Sequence, residues 1–546
     1  MGREGEGGAG SALHSLQNQP MEPFETERPA PECYQRPGPR RRLSRRRVKV
    51  LCLVAALVCA VVLVLVVCLG ASRQDSGEPE TLEARVLELR ADAPMHTSQA
   101  YLDYTGAGVF TGAQLDRATE IVRSGRCCNT HSGSDCALHT AELIDGARAS
   151  VRGFFGAPGH AVVFTANASA SVRVLVDSFP FGAGVYVYGA RAHNSVVGMR
   201  GVAAAHGADV FVLHEDRLGA GCSAFARVLE GQGARTAPGR TLLLLTLESN
   251  FSGALMDSAS LALARAEAER CFGLPVHLAL DAAAAAPHRT VSLEALRGEG
   301  VPVDALVVSF YKLMGYPTGV AALLVDRAGL GALLEPGHFA GGTVVLAGAE
   351  TPFVRPRASV EERLEDGTPD FLVIPQIVPG LDQLRDLGLG ADSGSPFAGE
   401  YTARLDRLGA RLREMLGAVT NRAGEQAVEF VDAGLGPIVA FRLRVGEEEA
   451  THVACPAMVA GVAALEGVAV RGGCHCNPGE CYAASGLDET DLDAAADQLD
   501  SCGAVLEGAG PVDALGAVRV SLGYLSAQDD LDRLVAVVGR AAQEMV

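Results

Sequence analysis

The chain has 546 residues, 48% of them apolar, so it can bury a sizeable core, which excludes a wholly disordered protein or a small disulfide scaffold. Its formal net charge is −19, and because the first 50 residues are net basic the remainder is more acidic still, which excludes nucleic acid as a partner of that body. Of the 46 basic residues only Lys49 and Lys312 are lysines. Arginine serves wherever positive charge alone is wanted, so a lysine kept in the body points to amine chemistry. A guanidinium, with a pKa above about 12, cannot perform it.

Residues 1–47 are rich in Gly, Pro, Glu and Arg and end in an arginine cluster, the pattern of a disordered basic tail. Within residues 48–71 the stretch Leu51 to Gly70, LCLVAALVCAVVLVLVVCLG, carries no charge and at about 1.5 Å per residue spans a bilayer core of about 30 Å. A single-pass membrane anchor is expected there rather than a cleaved signal peptide, whose apolar run is shorter. The arginine cluster places the tail in the cytosol by the positive-inside rule, although the side occupied by the body stays open. Two Asn-x-Ser sequons, at Asn167 and Asn250, fall inside motifs that suit a buried site, where a glycan would block it.

After a stem at 72–96, a large domain is expected over 97–380. Apolar runs at Ala161 to Thr165, Gly184 to Tyr188, Asp209 to Leu213, Thr241 to Leu247, Val276 to Asp281 and Ala305 to Ser309 alternate with helical patterns, which predicts an α/β fold with a mostly parallel sheet. A Gly/Ser/Pro-rich segment from Asp386 to Gly399, a helix over Tyr401 to Leu416 and strands near Val428 and Ile438 predict a smaller α+β domain over 381–546, which bears a cysteine loop.

In open parallel sheets ligands bind beyond the carboxyl ends of the strands, and three strand ends carry suggestive residues. The segment Thr165 to Ser171 offers Asn167, Ser169 and other small polar residues to a helix N-terminus, suited to a phosphate or to an ordinary N-cap. Asp281 closes an apolar run and needs a cationic partner, a pyridinium or a buried arginine, unless it caps a helix. Ser309 and Lys312 lie on a turn shaped by Gly315, Pro317 and Gly319. A strand-end Asp, a strand-end Lys and a hydroxyl-rich turn together match the parts of a pyridoxal phosphate site. Farther on, Arg471-Gly472-Gly473-Cys474-His475-Cys476 and Cys481 offer a thiolate nucleophile, a zinc site with unusually tight spacing, or disulfides, for which Cys127, Cys128 and Cys136 add candidates.

Taken together, YLDYTGAG at Tyr101, CNTHS at Cys128, FTANASAS at Phe164, AHNSVVGMR at Ala192, SNFSG at Ser249, SFYKLMGYPTG at Ser309, FAGGT at Phe339, RLEDGTPDF at Arg363, VRGGCHCNPGEC at Val470 and VRVSLGYLS at Val518 resemble the cysteine-desulfurase branch of the class V, fold-type I pyridoxal phosphate enzymes. Within it the resemblance is strongest to the sulfurase domain of the eukaryotic molybdenum cofactor sulfurases. It implies that Lys312 is the Schiff-base lysine, that Asp281 pairs with the pyridinium, that His193 stacks on the ring and that Asn250 approaches its hydroxyl. It also implies that Ser169 and Ser309 hold the phosphate, that Thr343 reaches the phosphate of a neighbouring subunit in a homodimer, and that Arg471 clamps the carboxylate of L-cysteine. Cys476 is then the nucleophile that takes sulfur as a persulfide and leaves alanine, with no metal required. Molybdenum cofactor or a separate carrier is the implied acceptor, and a domain that receives the cofactor is expected to be lacking after the match. Asn167, Ala168 and Ala284 depart from the family pattern and predict weakened cofactor binding. A class V lyase or aminotransferase without a cysteine nucleophile, and a degenerate membrane-anchored scaffold, are the alternative readings.

Overall fold

The computed structural model describes residues 81–125, 127–232, 238–446, 452–487 and 515–545, all within one compact unit running from Pro79 to Val546. The central apolar runs form strands because they are rich in Val, Leu and Ala side chains that are buried on both faces, whereas the strands toward one edge are only partly covered. In chain order they are β1 (Ala100–Tyr101), β2 (His160–Thr165), β3 (Val185–Gly189), β4 (Asp209–Leu213), β5 (Phe225–Leu229), β6 (Thr241–Thr246), β7 (Val276–Asp281), β8 (Ala305–Ser309) and β9 (Ala321–Asp326). Eight of these make one sheet in the order β2-β9-β8-β7-β6-β3-β4-β5. Pairing is parallel from β8 through β7, β6 and β3 to β4, so the mostly parallel sheet expected from the sequence is present. Only β9 and the edge strand β5 run against it.

A hairpin of β10 (Val344–Ala347) and β11 (Val354–Pro356) follows. The second sheet contains β12 (Val428–Phe430), β13 (Ile438–Val445), β14 (His452–Val453), β16 (Arg471–Gly473) and β17 (Ala517–Ser521), in the order β12-β13-β17-β16 with β14 on β13. Between them in sequence, β15 (Val468–Ala469) pairs parallel with β1, which ties the start of the described chain to its far end. A helix at Leu82–Ala91 reinforces that tie through ion pairs of Arg90 with Asp530 at 2.6 Å and of Glu83 with Arg404 at 2.6 Å.

Among the described residues no helix is long and apolar enough to cross a membrane, and the span expected at 51–70 lies outside them. Among the described residues three disulfides are formed, Cys128–Cys136, Cys222–Cys271 and Cys474–Cys481, of which the second joins segments that no motif had connected.

Candidate active site

The carboxyl ends of β2, β6, β7 and β8 open onto one cavity of about 600 Å³, its mouth included, lined by Ser169, His193, Asn250, Asp281, Ser309 and Lys312 together with Thr246, Glu248 and Ala284. Six of the sequence-predicted residues therefore meet in one place. Lys312 lies not on a turn but in the short helix Phe310–Met314 that leaves β8 directly. One turn of helix swings the lysine back over the strand end. Gly108 keeps that helix close to the YLDYTGAG segment, since a Cβ there would lie 2.9 Å from Lys312 O.

Lys312 is half-buried by area and lines the cavity. Desolvation lowers its pKa, opposed by the Asp281 carboxylate and assisted by Arg519 and Arg471. Asp281 is buried, and its Oδ1 accepts the Ala283 N–H at 3.0 Å. Burial and then the Lys312 charge hold the His193 imidazole below its ordinary range. Its Nδ1 accepts the Ser195 N–H at 3.1 Å, which leaves Nε2 as the protonated nitrogen of the neutral ring. Ser195 Oγ in turn meets Ser169 Oγ at 2.5 Å.

At the end of β2, Asn167 caps the helix Ala168–Ser178 by accepting the Ala170 N–H at 2.9 Å. The N-cap reading of this segment thus holds for Asn167, and both Asn167 and Ser169 line the cavity. The sequons also divide: Asn250 is buried and donates to His475 O at 2.7 Å, whereas Asn167 is exposed at the cavity. Two buried hydroxyls that line the cavity, Thr246 Oγ1 and Ser309 Oγ, lack a hydrogen-bond partner. Buried hydroxyls of this kind call for a polar ligand.

Arg471, Cys476 and Thr343 do not line this cavity. Arg471 is half-exposed and bound to Asp103 at 2.9 Å. Beneath it lies a residue that sequence reasoning passed over: Arg519 is fully buried, pairs with Asp103 and donates to Asn250 O at 2.8 Å. Its motif, VRVSLGYLS, was legible, but one arginine among so many gave no signal. Thr343 is buried in its own turn, where its Oγ1 accepts the Ala340 N–H and donates to Ala340 O, both at 2.9 Å.

In the cysteine cluster the disulfide reading holds for one pair and leaves one thiol free. Cys474 and Cys481 are bonded to each other and so are unavailable to a metal, while Cys476 is free and exposed. His475 and Cys476 adopt φ of 54° and 57°, left-handed values that turn the chain sharply. The turn docks beside His193, with Asn194 N–H donating to Cys476 O at 2.7 Å. His475 is no cationic neighbour for the thiol, because burial holds its imidazole far below the usual range, and its Nε2 bonds Ala517 O at 3.2 Å.

The model of the aminotransferase class-V family matches residues 100–393. The molybdenum cofactor sulfurase of Drosophila ananassae is 29% identical over 84% of this chain and 60% of that protein, and that of Solanum lycopersicum is 30% identical over 80% of this chain and 55% of that protein. The chain thus spans somewhat more than half the length of these relatives. Among solved structures, a cysteine desulfurase from Thermococcus onnurineus superposes with a TM-score of 0.60 at 18% identity, covering 84% of this chain and 98% of its own. One from Escherichia coli does so with a TM-score of 0.59 at 19% identity over the same shares, and both share the fold described above. With a family model spanning more than half of its length and the lysine, carboxylate and imidazole gathered at one sheet edge, the chain belongs to the aminotransferase class-V family.

Proposed function

We propose that the chain is a pyridoxal phosphate-dependent L-cysteine desulfurase of the molybdenum cofactor sulfurase type, in which sulfur passes from substrate to Cys476. The observation that carries the reading is the meeting of Lys312, Asp281 and His193 in one cavity, with a free thiol on a turn docked to the residue after His193.

Pyridoxal phosphate is the cofactor of the family, and the residues present fit it. Lys312 offers a desolvated amine, Asp281 a buried carboxylate, His193 a ring, and Ser309 an unpartnered buried hydroxyl suited to an anionic group. When bound, the cofactor supplies an electron sink for bonds at the substrate Cα. Lys312, its amine pKa lowered by desolvation, is suited to moving the Cα proton. Arg471, half-exposed and paired with Asp103, is the arginine offered to the substrate carboxylate, while the buried Arg519 shares Asp103 and donates to Asn250 O. The Cys476 thiolate forms a bond to the substrate sulfur as the Cβ–S bond breaks. The electron pair and a proton end on Cβ, so L-cysteine and a thiol become alanine and a persulfide, with no external oxidant or reductant.

A homodimer is supported by the hairpin that follows Thr343, where Leu346 and Phe353 stand 60% and 57% exposed. Residues 51–70 act as a single-pass anchor, and the body lies on the side opposite the basic tail, a placement favoured by three disulfides of a kind that persists in oxidising compartments. The acceptor that discharges the persulfide is molybdenum cofactor or a separate carrier.

Full-length protein supplied with pyridoxal phosphate and L-cysteine tests the reading. Equimolar alanine and a 32-dalton gain on the Cys476 peptide are expected, with Cys476→Ala abolishing both (the mass is that of one sulfur atom, about 32). Alanine formation at the wild-type rate by Cys476→Ala overturns it.

A further inference from the structure

The turn that presents Cys476 is fastened from several sides at once. Helix Pro478–Ser485 begins two residues after the thiol, capped by Asn477, whose Oδ1 accepts the Glu480 N–H at 3.2 Å. Asn477 is buried, and its Nδ2 is shared among Arg191 O at 3.0 Å, Ser249 Oγ and Asn250 Oδ1 at 3.3 Å and Glu480 Oε2 at 3.2 Å. The Glu480 carboxylate also accepts the hydroxyls of Ser249 and of Ser252, the latter at 2.6 Å. Arg191 Nε stands 3.6 Å from Glu480 Oε1. The serines belong to the turn that carries Asn250, and Arg191 lies two residues before His193.

We propose that Glu480 is a positioning residue for the sulfur-transfer step, its carboxylate fastening the Cys476 turn to the Ser249–Ser252 turn so that the thiol-bearing turn stays docked beside His193 instead of swinging free. A carboxylate suits the role because it is acceptor-only: Ser249, Ser252 and Asn477 all donate to it, and no side chain without two acceptor oxygens satisfies them together. The serine hydroxyls in turn accept backbone N–H groups, Ser249 Oγ from Phe251 at 3.1 Å and from Ser252 at 3.2 Å, so the carboxylate fixes both turns. Removing it leaves the buried hydroxyls of Ser249 and Ser252 without their acceptor and takes from Asn477 Nδ2 one of its four.

The inference rests on the desulfurase reading, but one arm of its test does not. Full-length wild type, Glu480→Ala and Glu480→Gln, each loaded with pyridoxal phosphate, are compared in alanine formation from L-cysteine and in the rate at which iodoacetamide labels Cys476, read by peptide mass. Glu480→Ala is expected to lower kcat roughly 10- to 100-fold with KM changed by less than about twofold, and with cofactor absorbance unchanged. Labelling of Cys476 rises severalfold in the same protein, the opposite direction from turnover. Glu480→Gln, which keeps one acceptor oxygen, recovers part of both. Should Glu480→Ala fail to fold, Glu480→Gln and Ser252→Ala carry the comparison with smaller effects in the same directions. Unchanged labelling across the variants overturns the clamp whatever the activity. A wild type that yields no alanine while Glu480→Ala labels faster overturns the desulfurase reading and leaves the clamp standing.

Discussion

Arg519 Nη2 lies 2.5 Å from Asp103 Oδ1, a buried guanidinium whose charge is answered by a carboxylate from the other end of the described chain. The other oxygen of Asp103 holds Arg471 at 2.9 Å. One carboxylate thus serves two arginines on neighbouring strands, and both act on Lys312 through their charge.

Asp103→Ala strips Arg519 of its partner without giving it water. Breaking a buried pair from one side costs about 3–5 kcal/mol, and denaturant midpoints of the wild type and the variant measure it. Asp103→Asn, which keeps an acceptor for one guanidinium, costs less. A loss below about 1 kcal/mol in Asp103→Ala rules out this account of the pair.

How much of this was readable in the sequence depends on which physical signal each part left. The strands were legible because β2, β6, β7 and β8 are buried on both faces and so read as unbroken apolar runs. Lys312 was legible because lysine is scarce here, and Arg519 was not because arginine is common. The insertion of β9 between β2 and β8 left no trace, since strand order is set by long-range packing of surfaces that look alike in one dimension. The Cys474–Cys481 bond and the free Cys476 were a three-way choice that only spatial proximity resolves.

Lys312→Ala should fold and lose the cofactor's covalent attachment. Borohydride treatment of the wild type followed by peptide mass analysis is expected to find a pyridoxyl adduct on Lys312 and none on the variant. Turnover with L-cysteine falls by roughly 10²- to 10⁴-fold, the range set by loss of a positioned acid or base. An adduct elsewhere, with Lys312 unmodified, removes the site as described.

Glu215 makes stability fall with rising pH. Burial lifts its carboxyl from 4.5 to about 7, against the Arg191 N–H that bonds its Oε1 at 3.3 Å. The folded state keeps a proton that the unfolded chain releases, so this contribution is full below about 4.5 and is lost as pH rises through about 7. Glu215→Gln keeps the shape and the acceptor but has no proton to lose. Its stability relative to wild type should rise by about 3 kcal/mol between those limits, read as the difference of unfolding curves at acid and slightly alkaline pH. Parallel pH profiles for the two proteins contradict the assignment.

Gly479 tests how closely the cysteine-bearing turn must approach the segment leading to His193. It stands one residue before Glu480, and a Cβ added there would lie 2.1 Å from Ala190 O, a backbone atom that cannot step aside as a flexible side-chain tip does. Gly479→Ala must therefore push the helix Pro478–Ser485 away from residues 190–194, lengthening the bonds of Asn477 to Arg191 O and of Asn194 to Cys476 O, now 3.0 and 2.7 Å. Overpacking of this size costs about 1–3 kcal/mol of stability. Because Lys312, Asp281 and Ser309 lie on β7, β8 and the helix after it, away from this approach, cofactor absorbance should stay near wild type while alanine formation from L-cysteine falls and iodoacetamide labelling of Cys476 quickens. If Gly479→Ala turns over L-cysteine at the wild-type rate with unaltered labelling, the thiol does not depend on this close approach.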